Sequence, residues 1–167
     1  MARARSRAVQ WEAMAEPMKR QALSDFRLAC QLQEQIGRDP RYACTGVALL
    51  AQTAEKLIKA WLLSRKERGI SWRLRWMEHD VLAILDVNGR PRRRRQWLQG
   101  QLSGGTFREL QRLLRLVPRA GFARNVEYPY LAGALPTAPC DGFTEFDYSL
   151  YRTAVGHLVR LLEPIVN

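Results

Sequence analysis

The sequence predicts an all-α fold, an up-down bundle of four main helices. Apolar residues recur at helical spacing in four segments, helix start and stop signals bound those segments, and no segment predicts a strand. The length of 167 residues suits one domain, and 47% hydrophobic with 26% charged residues is typical of globular proteins. No segment approaches the roughly 18 apolar residues of a membrane span. We therefore expect a protein that does not enter the membrane, and the widely spaced cysteines considered below suit a cytoplasmic location.

The first main helix is predicted to begin near Pro17, since the fixed φ of proline suits a first helical turn. Gly37 and the pair Asp39-Pro40 are predicted to end it. Residues 1–16 precede it as a basic N-terminal tail or a short helix. Residues 17–167 are then expected to form a single bundle.

The second helix, predicted over 41–68, is the clearest element. It carries a continuous apolar stripe: Val47, Leu50, Ala51, Ala54, Leu57, Ile58, Trp61 and Leu62. At 1.5 Å per residue it would be about 40 Å long, which suits the spine of a bundle. Glu55 and Lys59 are spaced i,i+4 on its polar flank, and a surface salt bridge is expected between them.

The third and fourth helices are predicted from capping boxes. Thr106 with Glu109 is expected to cap a helix that ends at Pro118. Thr144 with Asp147 is expected to cap the last helix. The connection between them, residues 128–142, is rich in proline and predicted to be poor in helix.

The net charge of +11 is concentrated in two segments without nearby acidic residues. Eight charges belong to an N-terminal tail and a run of arginines, and without them the net charge would be +3: Arg3, Arg5, Arg7, Arg90, Arg92, Arg93, Arg94 and Arg95. The run is predicted to form a solvated basic loop over 88–97, because like charges repel and attract polyanions. It indicates contact with nucleic-acid phosphates or with an acidic partner. The other interpretation is a solubilising loop.

Two tryptophans, Trp72 and Trp76, alternate with Arg73 and Arg75. Aromatic rings can stack on bases while arginines hold phosphates, so this segment is a candidate nucleic-acid contact. A spacing of four is equally that of an apolar pair on a helix. Both interpretations stay open.

Metal and cofactor chemistry is not expected. The three cysteines are odd in number and widely spaced, which favours reduced thiols: Cys30, Cys44 and Cys140. His79 and His157 are the two histidines, too few for an ordinary zinc site. The sequence contains neither a phosphate-binding glycine loop nor a nucleophile elbow.

The segment RYACTGVALLAQTAEKLIKAWLL resembles the signature helix of HEPN domains, the nucleotide-binding helical domains of higher eukaryotes and prokaryotes. Six positions match in register: Gln52, Ala54, Glu55, Lys56, Lys59 and Ala60. The resemblance extends to 23–29, which is similar to the first helix of the family, and to His79-Asp80-Val81, which resembles its His-Asp-Leu. It implies a four- or five-helix bundle.

Many HEPN proteins are metal-independent ribonucleases that use an Arg-x(4–6)-His motif, with arginine on the phosphate and histidine moving a proton. The corresponding segment here begins Arg124-Asn125, but Pro129 stands at the histidine position. Proline cannot transfer a proton, and the hydroxyl of Tyr128, with an ordinary tyrosine pKa of about 10, is a poor base.

A second match in spacing is Arg152 with His157 on the last helix. Positions five apart are about 140° apart around a helix, so these two side chains are not expected to face one another. A chance match is therefore expected.

The resemblance is greater to the HEPN branch that lacks the nuclease histidine, whose members bind ligands or partners, often beside a minimal nucleotidyltransferase in two-gene, toxin–antitoxin type systems. It implies a homodimer with a groove for a nucleotide, RNA or protein partner, and these candidate ligand residues: Gln52, Glu55, Lys56, Lys59, His79, Arg124 and Tyr128. Two alternatives stay open. One is a metal-independent endoribonuclease that uses Arg124, Asn125, Arg152 and His157. The other is a scaffold that docks through its arginine run.

Overall fold

The computed structural model describes residues 13–65, 91–116, 124, 126, 130–132 and 135–166. These residues form helices α1 (Ala15–Gln31), α2 (Gln33–Arg38), α3 (Tyr42–Ser64), α4 (Pro91–Gln101), α5 (Gly104–Leu114), α6 (Pro139–Gly142) and α7 (Glu145–Leu162), with strands β1 (Tyr130–Ala132) and β2 (Leu135–Thr137). The predicted all-α bundle is confirmed. None of the described helices is long and apolar enough to cross a membrane.

Helices α3 and α7 form the central pair of the bundle. They are parallel to each other and antiparallel to α1. Near the start of α3, Gly46 touches Tyr148 near the start of α7, so these helices begin at the same end. The Tyr148 hydroxyl donates to the carbonyl of Ala29, late in α1, at 2.6 Å. Earlier in α1, Asp25 pairs with Lys56, late in α3. Helix α1 is therefore antiparallel to both.

Helix α5 packs against the same central pair, and its packing on these two helices is more extensive than any contact with α1. Thr106, early in α5, contacts His157, late in α7. Just after α5, the Leu116 carbonyl accepts from the backbone N–H of Val126, whose own carbonyl accepts from the Cys44 thiol near the start of α3. Helix α5 is therefore antiparallel to α3 and α7, and α1 and α5 flank the central pair on different sides.

Helix α3 is buried along most of its length, as its apolar stripe predicts. Its largest side chain, Trp61, is fully buried. The ring of Trp61 stacks on Trp97 of α4, with centroids 5.0 Å apart and planes inclined by 20°. Arg65, just after α3, lies with its guanidinium carbon 5.6 Å from the Trp61 ring centroid. The predicted spine is thus confirmed as far as Ser64, and residues 66–68 of the prediction lie outside the described residues.

The helix boundaries differ from prediction in two places. The first predicted helix is divided, because a turn at Leu32 separates α1 from α2. The N-cap of α5 is Ser103, whose hydroxyl accepts from the backbone N–H of Thr106 at 3.2 Å, so the predicted capping box at Thr106 is wrong. The helix begins earlier because a serine three residues upstream supplies the cap. The box at Thr144 is confirmed, with both reciprocal bonds to Asp147 present.

Two segments predicted as connections contain regular structure. Residues 91–97 of the predicted basic loop belong to α4, because Trp97 and the buried Leu98 give that segment an apolar side. Residues 130–132 and 135–137, for which no strand was predicted, form two short paired antiparallel strands in which Tyr130 is opposite Thr137. One-turn helix α6 follows them. The two strands and α6, of three to four residues each, are too short to carry a periodic signal.

Candidate functional site

The polar flank of α3 faces helix α1 of the same chain. The Lys56 ammonium lies 2.5 Å from an Asp25 carboxylate oxygen, and the Asp25 side chain is only 9% exposed. The other oxygen of Asp25 accepts from the Gln21 side-chain amide at 2.8 Å. A buried carboxylate is stable as an ion only with such partners. Lys56 therefore links α3 to α1, although 30% of its side chain stays exposed.

Glu55 and Lys59 form the predicted i,i+4 ion pair. The pair is not on the surface, since the residues are only 7% and 8% exposed. The sequence prediction was therefore right about pairing and wrong about exposure, because helical spacing alone does not show which further segments cover a flank. Gln52, which is half-buried, and Lys56 remain the accessible polar groups of this flank.

Arg124 fastens the start of α7. Its guanidinium donates to the carbonyl of Gly142 and, at 2.9 Å, to the Asp147 carboxylate. It also lies over the ring of Phe143, with 4.2 Å from the guanidinium carbon to the ring centroid. An arginine held by three partners at a helix start is a structural clamp. The resemblance implies that Arg124 binds a phosphate, and to do so its guanidinium would have to break these contacts.

The Asp147 carboxylate is the acceptor at the centre of this clamp. Partial burial opposes its ionisation, but hydrogen bonds from the Thr144 backbone N–H, the Arg124 guanidinium and the Thr144 hydroxyl together hold the pKa of Asp147 below its ordinary value. A carboxylate near a helix N-terminus is also favoured by the helix dipole. The ionised form of Asp147 therefore stabilises the folded chain.

Replacing Asp147 with asparagine is expected to lower the free energy of unfolding by about 1 kcal/mol at pH 7, because it weakens the reciprocal bond of the capping box and removes the ion pair with Arg124. Because the folded-state pKa is lowered, the stabilisation by Asp147 is complete above the unfolded pKa of about 3.9 and is lost as the pH falls through the folded value. Urea unfolding of both proteins between pH 7 and pH 3 measures this. The two curves should converge toward low pH, and a constant gap would contradict the assignment.

His157 and Arg152 do not join Arg124. His157 is exposed, and its Nδ1 lies 3.1 Å from the Thr106 hydroxyl on α5. Arg152 lies beside Tyr148 on its own helix, 5.8 Å from the ring centroid. His157 is ten residues beyond Asp147, a rise of about 15 Å along α7. Within one chain, three of the four residues of the ribonuclease alternative, Arg124, Arg152 and His157, therefore do not converge.

The arginine run is not uniformly solvated. Arg93 is exposed, Arg95 is half-buried and Arg94 is only 7% exposed. Burial, with a smaller contribution from the charge of Arg65, lowers the pKa of Arg94. Several predicted site residues lie outside the described residues: Trp72, Trp76, His79, Arg90, Asn125 and Tyr128, together with Pro129 and the Arg92 side chain.

The sequence analysis missed a second group of arginines. Arg108 and Arg112 of α5 are exposed, and so is Arg115, the C-cap residue that follows this helix. Their spacing of four and three is that of one helix face, so the signal was present. The apolar periodicity that predicts this helix carries no information about its opposite face.

The described residues contain no group of three or more histidine, cysteine, aspartate or glutamate side chains placed to hold a metal ion. In the same part of the chain, Cys30, Cys44 and Cys140 are free thiols. Burial raises the pKa of Cys44, and its thiol donates to the Val126 carbonyl at 3.6 Å. Cys44 therefore has a packing role.

No protein-family profile matches this chain, and no curated protein or solved structure matches it.

Proposed function

We propose that this chain is a non-catalytic, HEPN-like module that binds RNA. The observation that carries the proposal is the position of Arg124, whose guanidinium is bonded to Gly142 and Asp147. The residue that the resemblance assigns to the scissile phosphate thus has a structural role here. His157, the remaining proton carrier among the candidates in the described residues, contacts a different helix.

The choice of RNA as the ligand is supported by charge. The chain has 27 lysines and arginines against 16 aspartates and glutamates, and exposed arginines lie on α4 and α5. Such an excess attracts polyanions and gives binding that weakens with salt. A pocket for a mononucleotide would not need this excess of positive charge. Binding of an acidic protein would also use the excess, and such binding is one outcome of the experiment below.

The resemblance also leads us to propose a homodimer and an associated minimal nucleotidyltransferase, as in a two-gene toxin–antitoxin type system. The accessible part of the proposed groove would be Gln52 and Lys56, because Glu55 and Lys59 are buried within the chain. This part of the proposal has its support in the sequence alone. Co-purification with the product of a neighbouring gene would test it.

The RNA-binding proposal predicts binding without cleavage. A fluorescein-labelled single-stranded RNA, followed by anisotropy, should bind tightly at 50 mM salt and far more weakly at 200 mM, because bound arginines release counterions. The same RNA, incubated with excess protein in EDTA and separated on a denaturing gel, should stay intact. His157→Ala should change neither result.

Cleavage in EDTA that His157→Ala or Arg124→Ala abolishes would instead establish the ribonuclease alternative. For Arg124→Ala, thermal unfolding must be measured first, since loss of the clamp is expected to destabilise α7. Failure to bind RNA, combined with salt-sensitive binding of an acidic protein, would favour the scaffold alternative.

A further inference from the structure

A row of arginines runs along the outward face of α5. Arg108, Arg112 and Arg115 are exposed, and they are spaced four and three residues apart. The opposite face of the same helix is apolar and buried, and it comprises Phe107, Leu110, Leu113 and Leu114. Helix α5 therefore has a fixed orientation, with this row directed away from the core.

The row carries more positive charge than its neighbours neutralise. Arg112 pairs with Glu109 at 2.9 Å, but 59% of its side chain is still exposed. Among the described residues, Arg108 and Arg115 form no salt bridge. Cations near a helix C-terminus are favoured by the helix dipole, which accounts for Arg112 and Arg115. Arg108 lies in the first half of α5, where the dipole gives no such benefit, so the dipole does not explain the whole row.

The geometry of the row suits a linear polyanion. At 1.5 Å per residue the three Cα atoms span about 10 Å along the helix axis. Guanidinium groups form bidentate hydrogen bonds with phosphate oxygens, and several in line can follow a phosphodiester backbone. Because α5 is anchored by its buried face and by the Ser103 cap, the backbone positions from which these arginines project are fixed before a ligand binds.

From this placement we propose that the α5 arginine row, Arg108, Arg112 and Arg115, binds the phosphate backbone of single-stranded RNA. The inference rests on the proposed function and assigns its contact surface to α5. The row contacts phosphates and therefore does not select a base sequence. It lies on a different side of the central pair from α1, which provides a matched control surface.

The test compares two triple variants with equal loss of charge. Arg108→Gln, Arg112→Gln and Arg115→Gln are combined in one protein, and Arg20→Gln, Arg27→Gln and Arg38→Gln, all exposed residues of α1 and α2, are combined in the other. The measurement is the slope of log K against log salt for a labelled single-stranded RNA. With about 0.7 per phosphate contact, the α5 variant should lose about 2 from the magnitude of the slope, and the control should keep the wild-type slope.

Circular dichroism and thermal unfolding of both triple variants show whether they are folded. If the α5 triple variant does not fold, the slope is measured on the single variants Arg108→Gln and Arg115→Gln, which remove no ion pair among the described residues.

A wild-type slope in the α5 variant would overturn this inference and leave RNA binding in place. Equal losses in both variants would show that net charge, not the row, drives binding, and would also overturn it. If the wild-type chain binds no RNA, the proposed function itself fails. If the α5 variant loses as much slope with single-stranded DNA of the same sequence as with RNA, the result would support contact with phosphates.

Discussion

Replacing Trp61 with alanine is expected to lower the free energy of unfolding by about 3–5 kcal/mol, the usual range for a buried large aromatic. Trp61 is fully buried in α3, so its removal leaves a cavity between helices. It also removes the stack on Trp97, which contributes about 0.5–1.5 kcal/mol beyond burial. Because this stack joins α4 to the bundle, α4 should be the first element to lose protection.

Urea unfolding followed by circular dichroism measures the Trp61→Ala effect, and hydrogen exchange on α4 reports the local loss. Phe146→Ala is the matched control, since Phe146 is also an aromatic residue in a helix but is 75% exposed. Its effect should stay within about 0.5 kcal/mol. Similar effects for the two variants would mean that Trp61 is not in the core.

Replacing Gly46 with alanine is expected to destabilise the chain by about 1–3 kcal/mol, the usual cost of overpacking. A Cβ at this position would lie 2.6 Å and 2.7 Å from two ring carbons of Tyr148 and 3.2 Å from the Ile36 side chain. The Tyr148 ring cannot move away easily, because it is fully buried and its hydroxyl is bonded to the Ala29 carbonyl. The helices α3 and α7 must therefore separate.

Gly37→Ala is the control for this prediction, and the sign of its effect should be opposite. Gly37 is also helical, but a Cβ there would meet nothing within 4 Å. Alanine is favoured over glycine in a helix by about 1 kcal/mol, so Gly37→Ala should stabilise the chain. Thermal unfolding of both variants gives the comparison, and stabilisation by Gly46→Ala would show that α3 and α7 do not approach as closely as described.

Much of the fold follows from local signals in the sequence. The stripe from Val47 to Leu62 predicted the buried spine, and the pair Thr144 and Asp147 predicted where α7 begins. Both signals depend on residues within one or two helical turns. The turn at Leu32 was not predicted, and the helix over 91–97 was missed because it depends on packing against the distant Trp61. The arginine-rich helix α4 is held against the bundle by the stacking of Trp97 on Trp61.

Less of the site could be predicted, for the same reason. The Lys56–Asp25 pair joins residues 31 apart, and Arg124 binds Asp147 across 23 residues. No spacing rule relates such positions. Local spacing therefore could not predict these partners, and the contacts of Arg124 with Gly142 and Asp147 have no signal in the sequence. The resemblance to HEPN domains remains a prediction.

The contact between Gly46 and Tyr148 also bears on how the chain folds during synthesis. Helices α1 and α3 are close in sequence and can pair soon after they leave the ribosome. Part of the apolar surface of α3 is covered by α7, and the Tyr148–Ala29 hydrogen bond joins residues 119 apart. At 5–20 residues per second, synthesis from α3 to α7 takes roughly 5–20 s. For that interval the part of the surface that α7 covers in the folded chain stays open, and such transiently exposed apolar surface favours aggregation.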